Sequence, residues 1–393
     1  MKISIKKNIE SSMLFYILLA LACMNFLGRG SLICLVFAMF ALLKTKSVMK
    51  IDGGFLLALL LSMSVATAAL VFYDLTEVVK AWNYVLLYYV GYNGFVAAED
   101  KTEFVKRTVF AIFAGFGLNV VVTYLYNRNI STGGRRIIYN FWTNELMSVT
   151  LVGLLSSVII GYSFYAIFVH KKLWMKLTGI ASVWVMFLFN IQTATRTPII
   201  LFIIVYSFML LVWFISGGWR KRFKWLVLAA VIIVLLATVY AYDVAGIKTY
   251  IVDSPLFERF ASEGIETARN EIAVYYFEHM FDSIWGGGKV GASYESMAHN
   301  FIQEGHDKYG IFATVAMIGL LAGFVKNLCK LLFNPKSDID FLFVSMYLAL
   351  IIQICLEPVF DGYPVVVMIL LMIHGMVSAY MTGRDNLMES CAQ

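Results

Sequence analysis

Apolar residues in this chain gather in long runs. Twelve such runs can be drawn, roughly at 13–28, 31–44, 53–73, 79–98, 104–126, 145–168, 173–192, 196–216, 225–243, 309–333, 339–357 and 363–382. Most approach the ~20 residues that a helix needs to cross hydrocarbon. None shows the apolar–polar alternation of a membrane β-barrel strand. The pattern predicts an all-α, polytopic integral membrane protein with about 12 transmembrane helices. One long polar interruption divides it into helices one to nine at 1–243, a large loop at 244–308, and helices ten to twelve with a tail at 309–393.

Inside the loop the pattern changes. Ile272, Tyr275, Tyr276 and Met280 recur at helical spacing, with Glu271, Glu278 and Asp282 on another face. This predicts an amphipathic helix over 266–282, lying on the membrane surface, with Arg269 near its start. Gly286-Gly287-Gly288 follows as a flexible or close-approach segment; it lacks the Gly-Lys-Ser/Thr spacing of a phosphate-binding P-loop. If the chain is helical from His299 onward, His299, Gln303, His306 and Gly310 share one stripe that leads into span ten.

Composition supports the membrane reading: 61% of the 393 residues are hydrophobic and only 14% charged, against about 25% in a soluble domain. Lys2, Lys6 and Lys7 before the first run resemble a signal peptide's start, but the further runs favour an uncleaved first helix. The five cysteines include no CxxC pair and none in the long loop, so neither a disulfide framework nor a thiolate metal site is expected. The net charge of +6 becomes informative once its members are assigned to sides, and it supports no nucleic-acid partner. With a cytoplasmic N-terminus, alternate loops carry Lys44/Lys46/Lys50, Lys101/Lys106/Arg107, Lys171/Lys172/Lys176, Arg220/Lys221/Arg222/Lys224 and Lys326/Lys330/Lys336, as the positive-inside rule requires. The long loop then faces outward.

Arginine breaks the pattern. Arg29, Arg128, Arg135, Arg136, Arg196, Arg259 and Arg269 all fall on the outward side, whereas most lysines are cytoplasmic. Both types count equally for topology, so topology does not explain the segregation. A guanidinium fork pairs bidentately with phosphate or carboxylate. Arg196, in Thr193-Ala194-Thr195-Arg196-Thr197-Pro198, opens a helix at a tight outward hairpin. That is the unfavourable end of the helix dipole for a cation, unless an anion joins it there; snorkelling to headgroups is the bland alternative. Arg135 and Arg136 stand before Tyr139 and Trp142, which suit either a sugar-stacking platform or an aromatic belt. Arg259 can pair with Glu258 or Glu263. His299 lies at the rim of the bundle, where a titratable imidazole could serve chemistry. His299 and His306 are seven residues apart, not the one turn that suits joint metal ligation, and no metal is expected. No Asp or Glu falls mid-span, Glu145 and Glu357 being at ends. That argues against an ion-coupled transporter.

Three features together resemble the O-antigen polymerase and O-antigen ligase superfamily of bacterial membrane glycosyltransferases. These are Thr195-Arg196 at the start of a central span, Ala268-Arg269-Asn270-Glu271 in the large loop, and His299-Asn300 followed by Gly310, with Ala313 at a further small position. The resemblance implies a GT-C-like fold in the bacterial inner membrane with the loop in the periplasm. It implies a donor glycan on undecaprenyl diphosphate, an acceptor glycan or lipid A-core, and no metal or other cofactor. His299 would be the catalytic base. Arg196 and Arg269, joined by Arg135 and Arg136, would bind the diphosphate, with Asn300 and Gly310 supporting the motif. A polymerase would also be expected to meet a chain-length regulator. The motifs do not separate polymerase from ligase. A polysaccharide flippase is the reading from another class, and a non-enzymatic scaffold would leave the arginines unexplained.

Overall fold

A computed structural model describes residues 12–45, 51–128, 138–147, 150–216, 240–263, 269–294, 298–333 and 337–392, with isolated positions at 223, 227, 234, 237, 238 and 335. Most of the expected span at 225–243 falls outside the described residues, which hold only 227, 234, 237, 238 and 240–243 of it, and the Arg135/Arg136 pair falls entirely outside them.

The first part of the chain forms α1 (Met13–Cys23), α2 (Gly30–Lys44), α3 (Gly53–Phe72), α4 (Leu75–Ala81), α5 (Asn83–Ala97) and α6 (Lys101–Asn127). A two-stranded antiparallel hairpin, β1 (Ile138–Tyr139) and β2 (Leu146–Met147), leads to α7 (Thr150–Phe164), α8 (Leu173–Thr193) and α9 (Thr197–Ser216). The described part of the loop carries four short α-helices: α10 (Ile247–Val252), α11 (Pro255–Glu263), α12 (Arg269–Glu278) and α13 (Lys289–Tyr294). The chain closes with α14 (Phe301–Phe333), α15 (Asp338–Leu356) and α16 (Val365–Ala392). Eight of the described helices are long and apolar enough to cross a membrane, and α1 and α2 are shorter apolar helices.

Local chemistry sets many of the boundaries. Asp52, Asp74 and Asp100 accept the backbone N–H three residues on at the starts of α3, α4 and α6, and Ser337 forms a capping box with Asp340 before α15. The run expected at 79–98 is broken because α4 ends at Ala81 and α5 begins at Asn83.

Packing is tightest between α5 and α16. A Cβ added at Gly91 would run into the backbone at Met372, and one at Gly375 into the backbone at Tyr88. Small residues let helix backbones meet where hydrocarbon solvent supplies no hydrophobic drive. Elsewhere α14 lies on α3, α15 on α7, and α1 on α6.

Side-chain ties sort the helix ends into two groups. Tyr363, before α16, donates to the Ala22 and Cys23 carbonyls at the end of α1. Asn83, at the start of α5, donates to Ser31 at the start of α2. Gln192, late in α8, donates to the Asn127 carbonyl ending α6, and Thr197, opening α9, donates to Glu357 just past α15. These ends form one face of the bundle, and the loop helices α11, α12 and α13 pack there. At the other face, Tyr88 reaches Asp52, and Arg384 reaches Asp340.

Candidate functional site

The α8–α9 hairpin turns in three residues, Ala194, Thr195 and Arg196. Ala194 adopts φ 42°, ψ 41°, and the N–H groups of Ala194 and Thr195 return to the Ile191 and Asn190 carbonyls, closing α8. Thr195 and Thr193 are joined through their hydroxyls at 2.7 Å. The Arg196 carbonyl accepts from Ile199 and Ile200, which makes Arg196 the residue before the first helical position, with Thr197 and Pro198 next. Arg196 is buried. From the loop, Arg259 on α11 donates to the Ala194 carbonyl at 3.2 Å, so a second arginine joins this hairpin.

The centre of the site is a residue at the far end of α15. Glu357 is 1% exposed in its side chain. Its Oε1 accepts from Thr197 Oγ1 at 2.7 Å and from Arg269 Nη2 at 2.7 Å. Arg269 also donates to the Leu356 carbonyl at 3.1 Å and to Thr197 Oγ1 at 3.3 Å. The second carboxylate oxygen, Oε2, faces His299 Nδ1 at 3.8 Å. Both atoms are buried, and neither has a hydrogen-bond partner among the described residues. Burial pushes the Glu357 carboxyl up. The approach of His299, the Arg269 charge and the bonds from Thr197 and Arg269 outweigh that, and hold it below the usual glutamate value.

Glu304 fixes the segment that follows Glu357. It lies one turn into α14 and is almost fully buried. Its Oε2 accepts from the Val359 and Phe360 N–H groups and its Oε1 from the Asp361 N–H, at 2.6 to 3.0 Å. Lys308, one turn on, pairs with Asp361. The start of α14 is thereby clamped to the connection between α15 and α16.

The glycine motifs serve the same junction. Gly310 breaks α14 with φ 81°, ψ −171°, a backbone region open to glycine and strained for other residues. A Cβ there would stand 2.8 Å from the Ile284 carbonyl oxygen. Gly286, Gly287 and Gly288 all have positive φ, and the Gly287 and Gly288 N–H groups donate to the Lys308 and Asp307 carbonyls. The glycine run is a close-approach segment. Asp307 completes the junction by accepting from Ser283 Oγ and from the Val290 and Gly291 N–H groups at the start of α13.

Two expectations need correction. His299 does not share a helical stripe with Gln303, His306 and Gly310. The helix begins at Phe301, Asn300 accepts the Gln303 N–H ahead of it, and Gly310 bends it. His306 is buried, with Nε2 against the Met280 carbonyl and Nδ1 against Thr314 Oγ1, both at 2.7 Å; both ring nitrogens are spent on structure. The loop helix ends at Glu278 rather than 282, and its faces are assigned differently. Ile272 and Tyr276 bury against Val290 and Ala298 inside the loop, while Val274, Phe277 and Phe281 are the exposed apolar residues. The regular spacing of Ile272 and Tyr276 reports packing within the protein.

Of the residues singled out in the sequence, Arg269 and His299 therefore meet at one carboxylate, and Arg196 adjoins Thr197, which binds the same carboxylate. Asn300 and Gly310 shape α14. Trp142 packs against Phe26 and Phe141. Glu357, Thr197 and Glu304 carried no weight in the sequence reading. A signal for Glu357 was present: a carboxylate at a helix C-terminus opposes the dipole as Arg196 does at an N-terminus, and each anomaly marks a partner across the fold. No protein-family model and no curated protein sequence matches this chain.

Proposed function

We propose that the protein is a membrane glycosyltransferase that moves glycan from undecaprenyl diphosphate to an acceptor sugar, and that it is a polymerase of lipid-linked repeat units. The observation that carries this reading is the convergence on buried Glu357 of Arg269, His299 and the Arg196–Thr197 hairpin, at one end of an apolar helical bundle. On this reading the chain crosses the bacterial inner membrane about 12 times in a GT-C-like arrangement, and the loop at 244–308 faces the periplasm. A polyprenyl diphosphate keeps its tail in the bilayer and its charge at the rim, the level to which this reading assigns these residues.

The acceptor hydroxyl gives its proton to His299 as its oxygen attacks the anomeric carbon. The bond to the diphosphate oxygen breaks, and the departing negative charge is met by Arg196 and Arg269. A single in-line displacement inverts the anomeric centre. A neutral imidazole is suited to the proton because its ordinary pKa lies near neutrality.

The same chemistry would serve an O-antigen ligase, with lipid A-core as acceptor. Deleting the gene and running surface glycan on a gel tests the assignment. Loss of a polymerase leaves core bearing one repeat unit. Loss of a ligase leaves bare core and long chains on the carrier. A flippase defect leaves no polymer and traps single units inside. Unchanged glycan would sink all three readings. Returning R196A, R269A or H299A to the deletion strain then tests the site, and normal glycan length with H299A would remove its role as base.

A further inference from the structure

Glu357 has one oxygen committed and one unspent. Thr197 and Arg269 both fix Oε1, and the three N–H groups of residues 359–361 on Glu304 fix the backbone beyond. The carboxylate plane is thereby set, and Oε2 has a determined direction. It points at His299 Nδ1, 3.8 Å away. The facing atoms are both buried, and neither has a hydrogen-bond partner among the described residues. An unmade bond between buried polar atoms is costly, and a small rotation of the imidazole would form it.

We propose that Glu357 is the positioning residue for His299: its Oε2 accepts the Nδ1–H, fixing the tautomer and ring orientation that leave Nε2 to take the acceptor proton. The inference rests on the reading of His299 as base given above and adds to it the residue that makes the base directional. A partner on one ring nitrogen decides where the proton of a neutral imidazole resides, and a base oriented by a third group is a recurring arrangement in catalysis. As the acceptor hydroxyl forms its bond to the anomeric carbon, its proton passes to Nε2 and the electron pair of the broken bond leaves with the diphosphate. The resulting imidazolium is stabilised by the Glu357 carboxylate and gives its proton to water afterwards. Glu357 itself stays ionised throughout, as its pairing with Arg269 favours.

Glu357 faces the imidazole, and the elements meeting at this junction also carry Arg269 on α12, Arg196 before α9, Glu304 and Lys308 on α14, and Asp361 in the α15–α16 connection. The isosteric substitution E357Q changes one charge in this set and leaves the others. The chain has five histidines, so ring-15N-labelled full-length protein in lipid nanodiscs gives a small spectrum that H299A assigns. In the wild-type protein neutral His299 is expected to carry its proton on Nδ1; a proton on Nε2 overturns the proposal without any variant. In E357Q the amide oxygen is held by Thr197 and Arg269, so the amide NH2 faces Nδ1 and the ring proton is expected to move to Nε2. Activity is then measured in membrane vesicles carrying the source strain's own lipid-linked glycan. The plateau rate of E357Q should fall, because Nε2 no longer accepts. An unchanged tautomer in E357Q would overturn the pairing. Full activity of H299A would overturn the base role and the proposal with it, so the two failures are read separately.

Discussion

Glu357 and Arg269 lie 88 residues apart in sequence and 2.7 Å apart in the fold. Removing Arg269 leaves a carboxylate buried with its cation gone, which in general is costlier than removing the whole pair. R269A is expected to lower stability by about 2–3 kcal/mol, and E357Q/R269A by less than the sum of the single changes; thermal unfolding in detergent checks both. The pH dependence has a definite sign. The folded state holds the Glu357 carboxyl below its ordinary value, so its contribution is complete above the unfolded glutamate pKa and is lost as pH falls through the folded one. The melting temperature of the wild type should drop on acidification below about pH 4–5, and that of E357Q should drop less. Arg196, Arg269 and His299 were legible in the sequence because charge and imidazole stand out against apolar runs. Glu357 was not, because its meaning lies in a contact between two stretches that no local pattern connects.

At the scale of elements, α14 matters most. It carries the Gln303 contact to the Ala273 carbonyl of α12, the Glu304 clamp, the structural His306 and the Asp307 cap within five residues. It then bends at Gly310 and continues into the bundle. G310A would impose positive φ on alanine and press a Cβ against the Ile284–Trp285 backbone. A loss of about 1–3 kcal/mol is expected, with hydrogen exchange rising first in 284–288. E304A should release the N–H groups of 359–361, seen as faster exchange there, and should lower glycan assembly through the freed Glu357. Failure of exchange to rise at 359–361 would show that Glu304 does not hold that connection. The sequence marked the apolar part of this helix well, since hydropathy alone defines it. The apolar run starts near 309, and a helix from His299 leading into it is only a conditional expectation. The extra turns before it are held by side-chain contacts to other elements, which no window of hydropathy contains.

For the whole molecule, several described residues assigned to opposite sides by charge lie toward opposite ends of the bundle. Lys44, Lys101, Lys172 and Lys330 lie toward the end where Tyr88 meets Asp52, whereas Arg29, Arg128, Arg196 and Arg269 lie toward the end of the candidate site. Single cysteines at exposed positions test the proposed orientation. In whole cells A292C should react with a membrane-impermeant maleimide and K172C should not; the reverse result would invert the topology. The exposed aromatics of the loop bear on how such an enzyme would meet its substrate. Phe277, Phe281 and Trp285 are uncovered, and Trp285 lies against Phe312 on the lateral face of α14. The apolar strip of a spanning helix thus continues onto the loop, which would keep the loop wedged among lipid headgroups. Encounter would then be a search in two dimensions. Rate would follow the mole fraction of lipid-linked glycan in the membrane, and diluting that membrane with inert phospholipid at constant total substrate should slow the reaction.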